Sequence, residues 1–170
     1  MLVAAAMIAS PAAAQRACLT AGEAESIALV ALPEIVRETG RVCAASLPAT
    51  SLVRRTSGPF LAKYQAQADR AWPAARRAIT KLSDPGVELL LQSEYARPLL
   101  VTLLVPQLVG RIAPADCPTI DRLTKLLEPL PPRNTAGVVV ATLQFLKAEK
   151  AKGRASVADV PDLPICAAPR

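Results

Sequence analysis

Few side chains in this 170-residue sequence have chemical potential, and four of them are cysteines. Cys18, Cys43, Cys117 and Cys166 lie too far apart for a CxxC pair, which disfavours a zinc knuckle or a thioredoxin-type redox centre. Their even number fits two disulfides formed in an oxidising compartment. Four cysteines permit three pairings. Closing one loop inside each half of the chain gives Cys18–Cys43 and Cys117–Cys166 as the expected pairs. That choice carries a condition. A straight helix over residues 21 to 41 would hold its ends roughly 30 Å apart, beyond disulfide reach, so the segment would have to fold back at Pro33.

Histidine is absent, which removes Ser-His-Asp and Cys-His chemistry, HExxH zinc sites and imidazole pH switches. No Ser or Thr precedes a lysine by three positions, so an SxxK dyad is missing as well. There is no GxGxxG, Walker A or EF-hand pattern, and neither a cofactor nor a metal is expected. Carboxylates remain. Glu34 and Glu38 lie four apart, but Arg37 and Arg41 interleave with them, as on a salt-bridged surface. Glu94 falls in the most apolar stretch, where burial would raise its pKa and suit it to general-acid work on a glycan strand. The competing expectation is an ion pair between Glu94 and Arg97. The chain reads as a non-enzyme.

Charge is unevenly spread. Residues 39–83 carry eight basic side chains against Asp69 alone, a net +7 in a chain whose total is +6. Lys63, Arg70, Arg77 and Lys81 recur there at steps of seven, seven and four, which makes one stripe along a helix. Such a face suits anionic lipid headgroups, cell-wall carboxylates or an acidic protein partner, and it also suits plain solvation. Aromatics make up only 3% of the chain, too few for a base-stacking platform, so nucleic acid is not an expected partner. Lys147, Lys150, Lys152 and Arg154 form a second basic cluster, explained by the dipole at a helix C-terminus.

Helices must carry these groups, because 3.6-residue periodicity recurs and strand-like alternation does not persist. Thr20 and Glu23 form a capping box that opens a helix towards Gly40, with Pro33 as a kink or a restart. Ser57 or Gly58 with Pro59 starts the clearest helix, whose seam is Leu61, Tyr64, Ala68, Ala71, Ala75, Ile79 and Leu82. Pro73 predicts a kink in it. Residues 87–112 are the most apolar stretch and the expected central core element, broken at Pro98 and at Pro106. Charges at Glu88, Glu94 and Arg97 leave too short a run to span a bilayer, which takes about 20 apolar residues. Asp116 caps a short helix that Pro129 ends. Asn134 or Thr135 caps a last one that ends at Gly153. The expectation is all-α: one irregular bundle of five or six proline-bent helices stapled by two disulfides.

Met1 to Ala9 is an apolar run, followed by Ser10-Pro11 and three alanines. That is the layout of a secretory signal peptide with cleavage after Ala14, although no Lys or Arg precedes the run. Residues 15–170 then form a single helical domain with an extended tail over about 154–170. Fourteen arginines against six lysines, with abundant Ala and Pro, suggest a high-GC bacterial genome and hence a periplasmic or secreted protein. The leading expectation is a non-enzymatic envelope protein that binds a protein partner or an anionic envelope component through the basic face. The alternative is a carrier of a small apolar or acyl ligand, with a cavity lined by residues 87–112. Reversing Arg70 and Arg77 to Glu together is expected to abolish co-sedimentation of the folded protein with envelope fragments. Unchanged sedimentation would reject the basic face as a binding surface.

Overall fold

A computed structural model describes residues 18–158 and 160–167, so the expected leader over 1–14 lies outside the described residues. The first helix begins where its capping box predicts. The Thr20 hydroxyl accepts from the Glu23 N–H at 3.3 Å, and the Glu23 carboxylate accepts from the Thr20 N–H at 2.8 Å. This helix, α1 (Ala21–Val42), runs through Pro33 as a single element and ends two residues beyond Gly40. Gly40 is needed for closeness rather than as a stop. A Cβ there would collide with the Val53 carbonyl oxygen in the short 3-10 turn Leu52–Arg54.

The second helix, α2 (Pro59–Leu82), starts after Gly58, whose φ of 98° favours glycine. It too continues through its proline, Pro73. Along its expected seam, Leu61, Tyr64, Ala68, Ala71 and Ala75 are buried, and Ile79 and Leu82 half-buried. The alanines bring α2 close to α1, and this is the principal contact of the fold. Tyr64 stands edge-on to Phe60, with ring centroids 5.3 Å apart, and its hydroxyl lies 3.3 Å from that of Thr135.

The apolar 87–112 stretch is not the centre. It forms α3 (Val87–Gln92) and α4 (Ala96–Val109), and the break falls at Ser93–Tyr95 instead of Pro98. Pro98 occupies the first turn of α4, where a missing N–H costs nothing. Leu89, Leu90, Leu99 and Leu103 are exposed. The central position belongs to α1, whose consecutive residues Leu29 to Pro33 are all buried. Five successive helical residues point in every direction, so α1 is surrounded: by α2, α4, α6 and the Leu52–Arg54 turn.

Two further helices complete the chain, α5 (Cys117–Leu127) and α6 (Pro132–Ala151). Among the described residues there is no strand, and no single helix is long and apolar enough to cross a membrane. The fold is all-α, with six helices and two disulfides.

The expected disulfide pairing is incorrect. Cys18 bonds Cys166, and Cys43 bonds Cys117, with Cα atoms 5.1 and 5.6 Å apart. Because α1 does not fold back at Pro33, Cys18 and Cys43 lie at its opposite ends. At 1.5 Å per residue, its 22 residues span about 33 Å. Each cysteine therefore pairs with a distant part of the sequence.

Beside Cys43–Cys117, one buried carboxylate ties α5 to the Leu52–Arg54 turn. Asp121 accepts from the Ser51 hydroxyl and from Lys125 Nζ, the latter at 2.6 Å. Burial pushes its pKa up. Lys125, Ser51 and the Leu52 N–H more than offset this, leaving it below the usual carboxylate value. A folded-state pKa below the unfolded one adds stability above the unfolded value, and that stability is lost as pH falls through the folded value. Acid titration of unfolding free energy is expected to show this loss in the wild type. It should be smaller in Asp121→Asn, which should be less stable at neutral pH. Superimposable profiles would refute the role.

Candidate functional site

Alanines recur on one face of α1 at Ala24, Ala28 and Ala31, and opposite them the helices do not close up. The result is an apolar cavity of about 200 Å³, partly open to solvent. Ile27, Leu32 and Ile35 complete the α1 wall, and Ile79 and Leu82 come from the end of α2. Leu100, Leu104 and Leu108 face it from α4, while Val139, Val140 and Leu143 face it from α6. Every lining side chain is a hydrocarbon.

The remaining wall is the C-terminal strap. Leu163, Pro164 and Ile165 line the cavity beside Leu19, and Leu19 and Ile165 form a parallel bridge. The Leu19 N–H donates to the Pro164 carbonyl at 2.7 Å, and the Cys166 N–H donates to the Leu19 carbonyl at 2.8 Å. Side chains of α6 satisfy other carbonyls of the strap. Lys147 Nζ donates to Leu163 and Ile165 at 2.8 and 3.0 Å, Lys150 Nζ to Val160 at 2.8 Å, and Gln144 to Cys166 at 3.0 Å. Two members of the second basic cluster thus hold the tail. The other two, Lys152 and Arg154, pair with buried Glu149, and the Lys152 hydrogen bond is the main cause of its lowered pKa.

No protein-family model matches this chain, and no curated protein or solved structure is significantly similar to it. The site must therefore be interpreted from its own chemistry.

The basic stripe divides into engaged ends and an exposed middle. Lys63 is half-buried. Its ammonium group donates to the carbonyls of Glu128 and, at 3.3 Å, Leu130, and it lies 5.2 Å from the Tyr64 ring centroid. Lys81 pairs with Glu23 at 3.0 Å. The Thr20 N–H first, and then Lys81, holds the Glu23 carboxyl below its usual pKa. Arg70 and Arg77 are exposed and make no ion pair among the described residues. Arg70 shares a mixed-charge cleft of about 590 Å³ with Glu25 and Arg133.

Glu94 is exposed in the turn before α4, so the burial that a general-acid role would require is absent. Arg97 pairs instead with Asp69, at 2.5 Å. Glu34 and Glu38 pair with Arg37 and Arg41 as the interleaving predicts.

Of the cavity lining only Leu100, Leu104 and Leu108 fall in the expected 87–112 stretch; the walls from α1, α2, α6 and the strap were not anticipated from the sequence. The spacing of Val139 and Leu143 identifies an apolar face without indicating whether it meets a neighbour or a void. Lys147→Met keeps the hydrocarbon stem and removes the donor. It is expected to speed amide hydrogen exchange at Leu19 and Cys166 while leaving exchange in α2 unchanged. Equal rates at the two bridge amides would show that Lys147 does not hold the strap.

Proposed function

We propose that this protein binds and carries a small apolar ligand in the cavity between α1, α4, α6 and the strap. The observation that carries this reading is the all-hydrocarbon lining of a cavity of about 200 Å³. Cavities of this chemistry stay dry, and one of about 150 Å³ suffices for benzene. The space suits a single aromatic ring or a short alkyl segment. Size supports function in a second way. At about 24 cal/mol per Å³, an empty closed void of this volume would cost on the order of 5 kcal/mol, comparable to the whole net stability of a domain. The partial opening to solvent makes that an upper figure. A bound hydrocarbon would recover much of it.

The compartment belongs to the same proposal. Two disulfides are compatible with an oxidising, extracytoplasmic location, and the leader-like residues 1–14 support export into a bacterial periplasm or beyond. Exposed Arg70 and Arg77, without ion pairs among the described residues, support a second reading in which the same protein meets an anionic envelope surface or an acidic partner.

Toluene is the simplest probe of the cavity. Its binding should raise the melting temperature of the wild type by mass action and give a saturable heat in calorimetric titration. Ala28→Phe projects a ring into the cavity and should abolish both responses while the protein stays folded. No toluene response in the wild type would reject the reading.

A further inference from the structure

The two disulfides differ in what they hold and in how far solvent reaches them. Cys43 and Cys117 are completely buried, at 0% exposure each, with Leu47, Val53 and Ile112 packed around them. Cys18 and Cys166 are only partly buried. Thiol–disulfide exchange needs a thiolate to reach a sulfur atom, so access discriminates between the two bonds. Local charge favours the same bond. Lys147 sits on the carbonyl of Ile165, next to Cys166, and nearby positive charge helps a sulfur to leave as thiolate.

The accessible bond is also the fastening of the cavity wall. Leu163, Pro164 and Ile165 form that wall, and Cys166 directly follows it. Apart from the disulfide, the strap meets the start of α1 through two backbone hydrogen bonds at Leu19. Its polar attachments to α6 are side-chain donors on flexible stems, and Ile165 and Leu163 also pack in one apolar cluster with Leu19, Ala24, Val140 and Leu143. Nothing comparable hangs on Cys43–Cys117, which clamps α5 to the far end of α1.

We propose that Cys18–Cys166 is a thiol–disulfide exchange site for a dithiol partner, and that its reduction releases the strap and opens the apolar cavity; the second half rests on reading that cavity as the ligand site. A thiolate of the dithiol attacks one sulfur, forming a mixed disulfide and expelling the other cysteine as thiolate, which takes up a proton. The second thiol of the dithiol, as thiolate, then resolves the mixed disulfide. The protein gains two electrons and two protons, and the dithiol becomes a cyclic disulfide. Ligand access is thereby coupled to the redox state of one bond, while the buried bond preserves the fold.

The test uses the folded protein with limiting dithiothreitol, followed by iodoacetamide and peptide mass analysis. Cys18 and Cys166 should be alkylated at concentrations that leave Cys43 and Cys117 oxidised. Amide exchange at Leu19 and Cys166 should then accelerate several-fold, and bound toluene should exchange faster by NMR. The double variant Cys18→Ser/Cys166→Ser should show the fast behaviour with or without dithiol. Simultaneous reduction of both bonds, or prior reduction of Cys43–Cys117, would overturn the proposal. So would bridge amides that stay protected after Cys18 and Cys166 are alkylated. If those amides respond but toluene binds in neither redox state, the cavity reading fails and the exchange site stands.

Discussion

A straight helix cannot bring its own ends together, and most of this architecture depends on that constraint. With 22 residues in α1, the cysteines flanking it are held about 33 Å apart. Each is bonded to chain that arrives from elsewhere, Cys166 at one end and Cys117 at the other. The helix between them is wrapped by α2, α4 and α6. Prolines that would break a lone helix are held inside the longest two by this packing, Pro33 in α1 and Pro73 in α2. Cooperative tertiary burial outweighs a local loss of one hydrogen bond.

Side-chain size along α1 then decides what is core and what is cavity. Leu29, Val30 and Leu32 pack in one buried cluster with Phe60, Tyr64, Ala71 and Ala75 of α2. Around Ala24, Ala28 and Ala31 the partners are leucines and valines from α4 and α6, together with the strap, and hydrocarbon surfaces face one another across a gap. The charged residues have quite different tasks. Lysines at 63, 147 and 150 donate to carbonyls of loops and of the strap, a structural use of positive charge where the chain has no backbone donor to offer.

Several helix starts were legible because they are written in local chemistry, although α6 begins at Pro132, ahead of the expected caps Asn134 and Thr135. Thr20 with Glu23 and Gly58 before Pro59 each act over a few residues, and each falls where an element begins. The alanine seam of α2 was legible for the same reason, since 3.6-residue spacing needs no knowledge of the partner. Whatever depends on tertiary contact was not. Pairing of the cysteines turned on whether Pro33 folds the chain, which α1 decides through neighbours far away in sequence. Hydrophobicity misplaced the centre, because residues 87–112 are apolar on both faces and α4 buries only one of them. The stripe from Lys63 to Lys81 was correctly placed on one helix, but periodicity does not reveal that Glu23 and the carbonyls of Glu128 and Leu130 occupy its ends.

The parallel bridge between Leu19 and Ile165 makes the fold a ring in all but its peptide bonds. With a sequence separation of 148 between Cys18 and Cys166, the cross-link denies the unfolded chain many of its extended states. Where the two extremities of a domain lie side by side, the order of its elements along the chain becomes a matter of convention. The protein could be cut at the exposed Asp84–Gly86 turn and rejoined near residues 18 and 166. Such a circular permutant would retain all six helices and the cavity between them.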